Sequence, residues 1–429
     1  MAACQRPWRH IFAQMDDLFP NLDAVAFAPS REAGVQRLSA FQPKMGRAYA
    51  SERNSDYGPS RRTNVSALSP WVRTRTLLEE ELVRGALDKF ALSTAEKFVQ
   101  EVCWRTYFKG WMEHRPGVWR AYQDELERQL DLLERNSGLK TAYDEAVEGG
   151  TGIDCFDAWA GELVETGYLH NHSRMWFASI WMFTLGLPWE LGADFFLRHL
   201  MDGDAASNTL SWRWVGGLHT PGKTYLARPS NIRKYTADRF DPQGLASSAE
   251  PLAGVDNPAI GPLPLGDARP EGDVAMLLTE EDLNGETLRP AGATVRALAG
   301  VSFAAARSPL GVGAEAERFA QGAVADALAR AGAAHGCDGQ ALQAGDGFVE
   351  AAVDWARASG APVVITGYAP TGWVRPKLEG LARALAAHDI QLRQLQRDWD
   401  QAFWPHAKRG FFGLKKKIPS VLAELGLPV

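Results

Sequence analysis

The chain lacks paired cysteines, long apolar runs, an excess of basic charge and the glycine motifs of nucleotide-binding loops. Cys4, Cys103, Cys155 and Cys337 are scattered with no C-x-x-C pair, which excludes a disulfide framework and a cysteine-based zinc or iron–sulfur site. No metal is expected, and a reducing cytoplasm is the expected location. No apolar stretch approaches the roughly 20 residues that cross a bilayer, and no apolar signal core precedes the acidic MDDLF segment near the N-terminus. The expectation is a protein with no membrane association. Net charge is −6, which argues against a general polyanion binder. Residues 1–240 hold 29 Lys and Arg against 30 Asp and Glu, so a nucleic-acid contact there needs a local basic face. Neither G-x-G-x-x-G nor a P-loop follows the strand-like runs, so neither kind of nucleotide site is indicated.

What is present is tryptophan, fifteen in 429 residues, and a length that suits two domains with separate cores. The richest stretch runs from Tyr168 to Trp214, where YLHNHSRMWFAS and LMDGDAASNTLSWRW set amides and carboxylates among aromatic rings. That mixture suits a flat, polar, redox-active cofactor better than an apolar core.

Residues 1–240 read as mostly helical. A capping box of Ser93 and Glu96 is expected to open a helix that places Phe98, Glu101, Trp104, Arg105 and Phe108 on one face. Burying an unpaired carboxylate is costly, so this face is either a cavity wall or the seat of a Glu–Arg pair. From Asp241 to Gly272 the chain turns rich in Pro, Gly, Ala and Asp without an apolar period, which reads as a linker. Beyond it, residues 273–429 alternate strand-like runs (Asp273–Leu278, Thr294–Val301, Pro362–Tyr368, Ile390–Leu395) with helical stretches (Glu315–Ala331, Phe348–Ala358, Lys377–His388). That alternation predicts a parallel-sheet α/β domain with a C-terminal helical tail. The fold class is therefore multi-domain, an all-helical domain followed by α/β.

Four blocks of the helical part resemble the FAD-binding domain of the photolyase/cryptochrome family. They are Tyr49-Ala-Ser-Glu-Arg53-Asn54; Asn64-Val-Ser66-Ala-Leu68-Ser69-Pro70; the helix FVQEVCWRTYF; and the Tyr168–Trp214 stretch with Asp202-Gly203-Asp204 and Trp212. The second block departs from the family's phosphate loop at Val65 and Ala67, and Arg75 stands where glycine is common. A loop of Ser hydroxyls and backbone N–H groups entering a helix can cradle a pyrophosphate.

The resemblance implies FAD as cofactor, with Tyr49, Ser66, Leu68, Ser69, Phe98, Arg105, Arg174, Asp202, Asp204 and Asn208 in the flavin site. It further implies UV-damaged DNA as partner, with a flipped dimer contacted by Glu101, Asn171 and Met175 between Trp104 and Trp214. Asn171 and Met175 match the branch that acts on cyclobutane dimers, and Arg53 and His172 are implied near the DNA. An electron added to a dimer puts charge on its carbonyl oxygens, to which a carboxyl kept protonated by burial can donate. Trp212 and Trp189 resemble the first two members of the chain that photoreduces the flavin. No Trp lies between Asp131 and Leu139, where the third is expected, and Trp181, Trp176 and Trp119 are the substitutes.

The implied activity is that of a deoxyribodipyrimidine photolyase, a DNA-repair lyase driven by blue light. The alternative is a cryptochrome-like sensor acting through a protein partner. The α/β part behind the helical part is the reverse of the family's order, and circular permutation is the simplest account; a second, antenna chromophore is then possible. Lys415 to Lys417 read as a solvated face or a DNA-proximal patch.

Overall fold

A computed structural model describes residues 25–254 and 256–429; Cys4 and the MDDLF segment lie outside them. Up to residue 240 the described chain is helical. Its elements are α1 (Arg31–Phe41), α2 (Arg47–Glu52), α3 (Ser69–Arg73), α4 (Glu79–Leu87), α5 (Leu92–Glu113), α6 (Gly117–Arg135), α7 (Ser137–Glu148), α8 (Asp154–Thr166), α9 (Asn171–Ser179), α10 (Trp189–His199), α11 (Ala205–Val215) and α12 (Pro229–Tyr235). One turn of π-helix, Ile180–Thr184, extends α9. The capping box expected on α5 does not form. The N-cap lies two residues earlier, at Ala91, which has no side-chain cap, and Glu96 pairs instead with Lys415 at 3.1 Å.

The described residues of 241–271 form no helix or strand, yet they are tied along the body. The Gly261 N–H donates to His114 O at 2.8 Å, and the Asp267 N–H to Gln394 O at 2.9 Å. The remaining elements are β1 (Gly272–Thr279), α13 (Gly285–Leu288), β2 (Ala293–Val301), α14 (Ala314–His335), β3 (Gly339–Ala341), α15 (Phe348–Ser359), β4 (Val363–Gly367), α16 (Val374–Ala386), β5 (Gln391–Leu395), α17 (Asp398–Phe403), α18 (Phe411–Lys415) and α19 (Ile418–Glu424). The sheet is parallel throughout, in the order β3-β2-β1-β4-β5. Central β1 is buried from Val274 to Thr279, as expected of a strand covered by helices on both faces. The exposed three-residue β3 has no counterpart in the sequence reading, because Gly-Gln-Ala carries no strand pattern.

In such sheets ligands bind at the carboxyl ends of the strands where the order reverses, here between β1 and β4. Protein fills that crevice. Gly367 at the end of β4 is needed because a Cβ there would come within 2.4 Å of Asp282 Cβ. From the helical part, Arg73 donates to Gly203 O at 2.7 Å, Glu280 O at 3.1 Å and Glu281 Oε1 at 2.8 Å. Arg75 donates to both oxygens of Asp400 at 2.6 and 2.7 Å. Glu113 accepts from Tyr368 Oη, the Thr371 N–H and Arg375 Nη2, each at 2.6 Å.

Arg75 explains a departure noted in the sequence. Its φ of 51° lies in the left-handed region, where glycine is free of the strain that a Cβ brings. Arginine is tolerated there because its side chain reaches carboxylates on the α/β side: Asp400, and Asp282 at 3.9 Å. Arg75→Gly should therefore lower stability by about 2–4 kcal/mol, the relieved backbone strain being smaller than the cost of leaving Asp400 buried and unpaired. Adding Asp400→Ala should restore most of the loss in chemical denaturation; a single variant as stable as the parent would show that the pair does not hold the two parts together.

Candidate functional site

A single cavity of about 580 Å³ opens between α5, α9, α11 and the loop before α3, and it is lined by every site residue expected from the sequence except Trp189. Its size is that of a pocket for a substantial organic ligand. Sequence spacing places the α5 wall: Glu101, Trp104, Arg105 and Phe108 recur at helical intervals and all reach the cavity. Phe98 sits one turn earlier with its ring 5.4 Å from that of Tyr49, edge to face. Ser66 in the loop before α3 and Ser69, the first residue of α3, line the cavity. Ala67 between them has φ 51°, which turns the backbone sharply into the helix.

The floor is built from charge. Arg174 on α9 grips Asp202 with two parallel bonds, 3.0 and 2.9 Å, while its Nε–H donates to Leu169 O at 3.0 Å. Burial opposes ionisation of Asp202, but Arg174 outweighs it and holds the carboxyl below its ordinary range. Asp204 caps α11, accepting the Ser207 N–H at 2.7 Å, and its other oxygen faces Lys109 at 3.4 Å, with Arg73 and Arg105 each at 3.9 Å. Burial again raises its pKa, and these three cations reverse the effect, keeping it well below the carboxylate range. Arg73 and Lys109 escaped the sequence reading. The available signal was a cation inside an otherwise apolar helical stretch, which needs a buried anion.

Asn208 donates one amide N–H to Ala193 O at 2.8 Å and lines the cavity. Several buried polar atoms on the wall have no hydrogen-bond partner: Arg105 Nη1, Ser207 Oγ and Trp212 Nε1. Unpaired buried donors and acceptors call for a ligand or water. Their types suit a flavin nucleotide, whose ring edge and phosphates offer acceptors and donors. Arg174, Asp202, Asn208 and Arg105 are the lining side chains that could hold one.

At the mouth, Glu101 and Arg53 form an ion pair, so the carboxylate's partner comes from another helix and not from neighbouring Arg105. Burial pushes the Glu101 carboxyl above its usual range against the pull of Arg53. Asn171 is exposed and Met175 half-buried. Trp214 stacks on Tyr225 with centroids 5.7 Å apart. Both ring nitrogens of His172 have protein partners, Asn54 O at 2.9 Å and Tyr225 Oη at 3.3 Å, and its ring stacks on Trp176.

Of the electron-transfer candidates, Trp176 stacks on Trp159 at 5.6 Å, and the other four fall into two groups. Trp212 meets Trp181 at 6.2 Å between centroids, both packed over Gly192, whose Cβ would fall 2.4 Å from Trp212. Trp189 instead faces Tyr122 at 5.7 Å, and Tyr122 faces Trp119 at 5.2 Å. Beside Trp189, burial raises the Glu190 pKa to about 7. A raised carboxyl favours folding below its unfolded pKa and loses that contribution as pH climbs through the folded value. Glu190→Gln, which fixes the neutral form, should raise the thermal midpoint at pH 8 by about 3–6 °C and leave it unchanged near pH 4. Equal gains at both pH values would show that packing, not ionisation, is the cause.

Among the described residues no group of His, Cys, Asp or Glu is arranged to hold a metal, and no helix is long and apolar enough to cross a membrane. Residues 98–246 match the family model described as the FAD binding domain of DNA photolyase. The chain is 32% identical over 195 residues to a deoxyribodipyrimidine photo-lyase of Streptomyces griseus, covering 42% of this chain and 41% of that protein. It is 33% identical over 221 residues to a Thermus thermophilus photo-lyase, 50% and 49% of the respective lengths. The chain thus spans about half the length, or less, of the curated relatives it matches. Among solved structures, a Synechocystis cryptochrome aligns at 23% identity with a TM-score of 0.39, over 48% of this chain and 43% of that one. It is over residues 98–246 that this chain is similar to the FAD-binding domain of the DNA photolyases.

Proposed function

We propose that this protein is a light-dependent flavoprotein that takes a cyclobutane pyrimidine dimer of damaged DNA into the cavity and splits it. One observation carries the reading: the residues proposed for the lesion and those proposed for the flavin line the same cavity. Residues 1–240 and 273–429 are taken as two domains joined by 241–272, the second corresponding to the family's α/β domain in permuted order. Bound, reduced and photoexcited, FAD would supply the electron that opens the dimer.

The chain's own residues do the rest. Trp104 and Trp214 offer ring faces on which a flipped base pair can stack. Glu101, with its pKa raised by burial, can hold a proton at one oxygen and donate it to a pyrimidine carbonyl that gains negative charge. Arg53 would move from Glu101 toward the nearest phosphate, a place for which it is already at the mouth. The Arg174–Asp202 clamp and Asn208 fix the geometry of the flavin wall without supplying a proton to it.

The Arg53–Glu101 pair itself favours the second reading, a light sensor in which the lesion site is closed and a protein partner reads the flavin state. Illumination of the purified, reduced protein with dimer-containing DNA separates the two. Recovery of monomeric pyrimidines is expected, declining as pH rises through the elevated Glu101 pKa. Glu101→Ala should retain the flavin absorbance and lose recovery by about 100-fold or more. Absence of recovery at full flavin occupancy would rule out the enzyme.

A further inference from the structure

The segment from α17 onward runs beside the cavity mouth. It is fixed to α5 by buried aromatics: Trp399 Nε1–H donates to Thr106 Oγ1 at 2.8 Å, and Trp404 packs so closely that a Cβ at Gly110 would lie 2.8 Å from its ring. Phe411 then stacks on Trp104, centroids 3.8 Å apart and planes within 13°. Lys415 reaches Glu96. On α5 the positions Lys97, Glu101, Trp104 and Phe108 form one stripe, so the segment borders that stripe from its middle to its start. Eight residues of helix span roughly 12 Å.

Anchoring buries Phe411, Leu414 and Ile418 and leaves Lys408, Arg409, Phe412, Lys416 and Lys417 facing outward. Lys408, Arg409, Lys416 and Lys417 are exposed, and among the described residues none has an acidic partner within ion-pair distance. Between them Phe412 is 77% exposed, next to Gly413, where a Cβ would meet nothing within 4 Å. No acidic residue occurs from His406 to Ser420. In a chain of net charge −6 this is a concentrated cationic surface around one aromatic face, the combination that holds single strands by phosphate contacts and base stacking.

We propose that Lys408–Lys417 is a strand-binding arm for nucleic acid. It takes the backbone flanking the nucleotides that enter the cavity, with Phe412 stacking on an unpaired base. The idea rests on the nucleic-acid reading of the cavity. An anionic membrane is the other surface that cations and a single aromatic would suit, but the arm lies beside a cavity walled by Trp104 and Phe108, and the rest of the chain is acidic.

The test uses the full-length, flavin-loaded protein and a labelled 16-nucleotide oligothymidylate, with and without one cyclobutane dimer, titrated across salt concentrations. Lys416→Ala/Lys417→Ala should flatten the slope of log affinity against log salt by roughly 1.4, two phosphate contacts at about 0.7 each. Phe412→Ala should weaken binding about tenfold with the slope unchanged. All three positions are exposed, so flavin content and thermal midpoint should stay at parental values. Dimer preference reports on the cavity and the salt slope reports on the arm. A parent that prefers the dimer, with variants matching it in slope and affinity, overturns the arm and leaves the cavity reading standing. Slopes that fall in the variants of a parent without dimer preference support the arm and overturn the lesion site. Loss confined to phosphatidylserine-containing vesicles, with oligonucleotide binding unaltered, also overturns it.

Discussion

Buried cations from the helical part, set between carboxylates from both parts, are the constraint on which the rest of this structure depends. Arg73 and Lys109 sit between Asp204 on the cavity floor and Glu281 at the end of β1. Removing charges from water costs several kcal/mol per ion, and only near-complete pairing offsets it. The arrangement leaves little freedom: once Asp204 caps α11 and draws in three cations, two of them, Arg73 and Lys109, require the sheet's acidic edge opposite them. The floor of the cavity and the packing of the α/β part are thus one electrostatic unit.

That unit also explains the crevice of the sheet. An open parallel sheet usually presents its switch point to a ligand, whereas here Arg73, Arg75 and Glu113 occupy it as a protein-made substitute. Trp373 is caught between Arg73 and Arg307, 5.1 and 5.3 Å from its ring. The concave polar site of this molecule lies instead among the helices, where Arg105, Ser207 and Trp212 keep buried polar atoms without hydrogen-bond partners.

Much of the fold was legible because it follows from local periodicity. The four strand-like runs form β1, β2, β4 and β5 within a residue or two, and the helical face from Phe98 to Phe108 becomes the cavity wall as its spacing required. β3 was not legible, since its three residues take strand geometry only by adding to β2. The capping box on α5 failed for a related reason: Glu96 had a distant partner, Lys415, that local pattern cannot reveal. The rings around Trp212, those of Phe196, Trp181 and Phe177, and the Tyr122 ring facing Trp189 come from other segments, so residue spacing alone did not give them.

By itself the sequence determined the helical and α/β halves, the residue types around one cavity and the resemblance to a FAD-binding domain, because these depend on residue spacing and on motifs that local geometry imposes. Only the tertiary structure decided which charges meet. It set Arg53 rather than Arg105 on Glu101, gave Arg75 a left-handed backbone in exchange for Asp400, and laid Phe411 on Trp104. Such pairings join residues tens to hundreds of positions apart, and their energies come from shared burial, which no single segment contains.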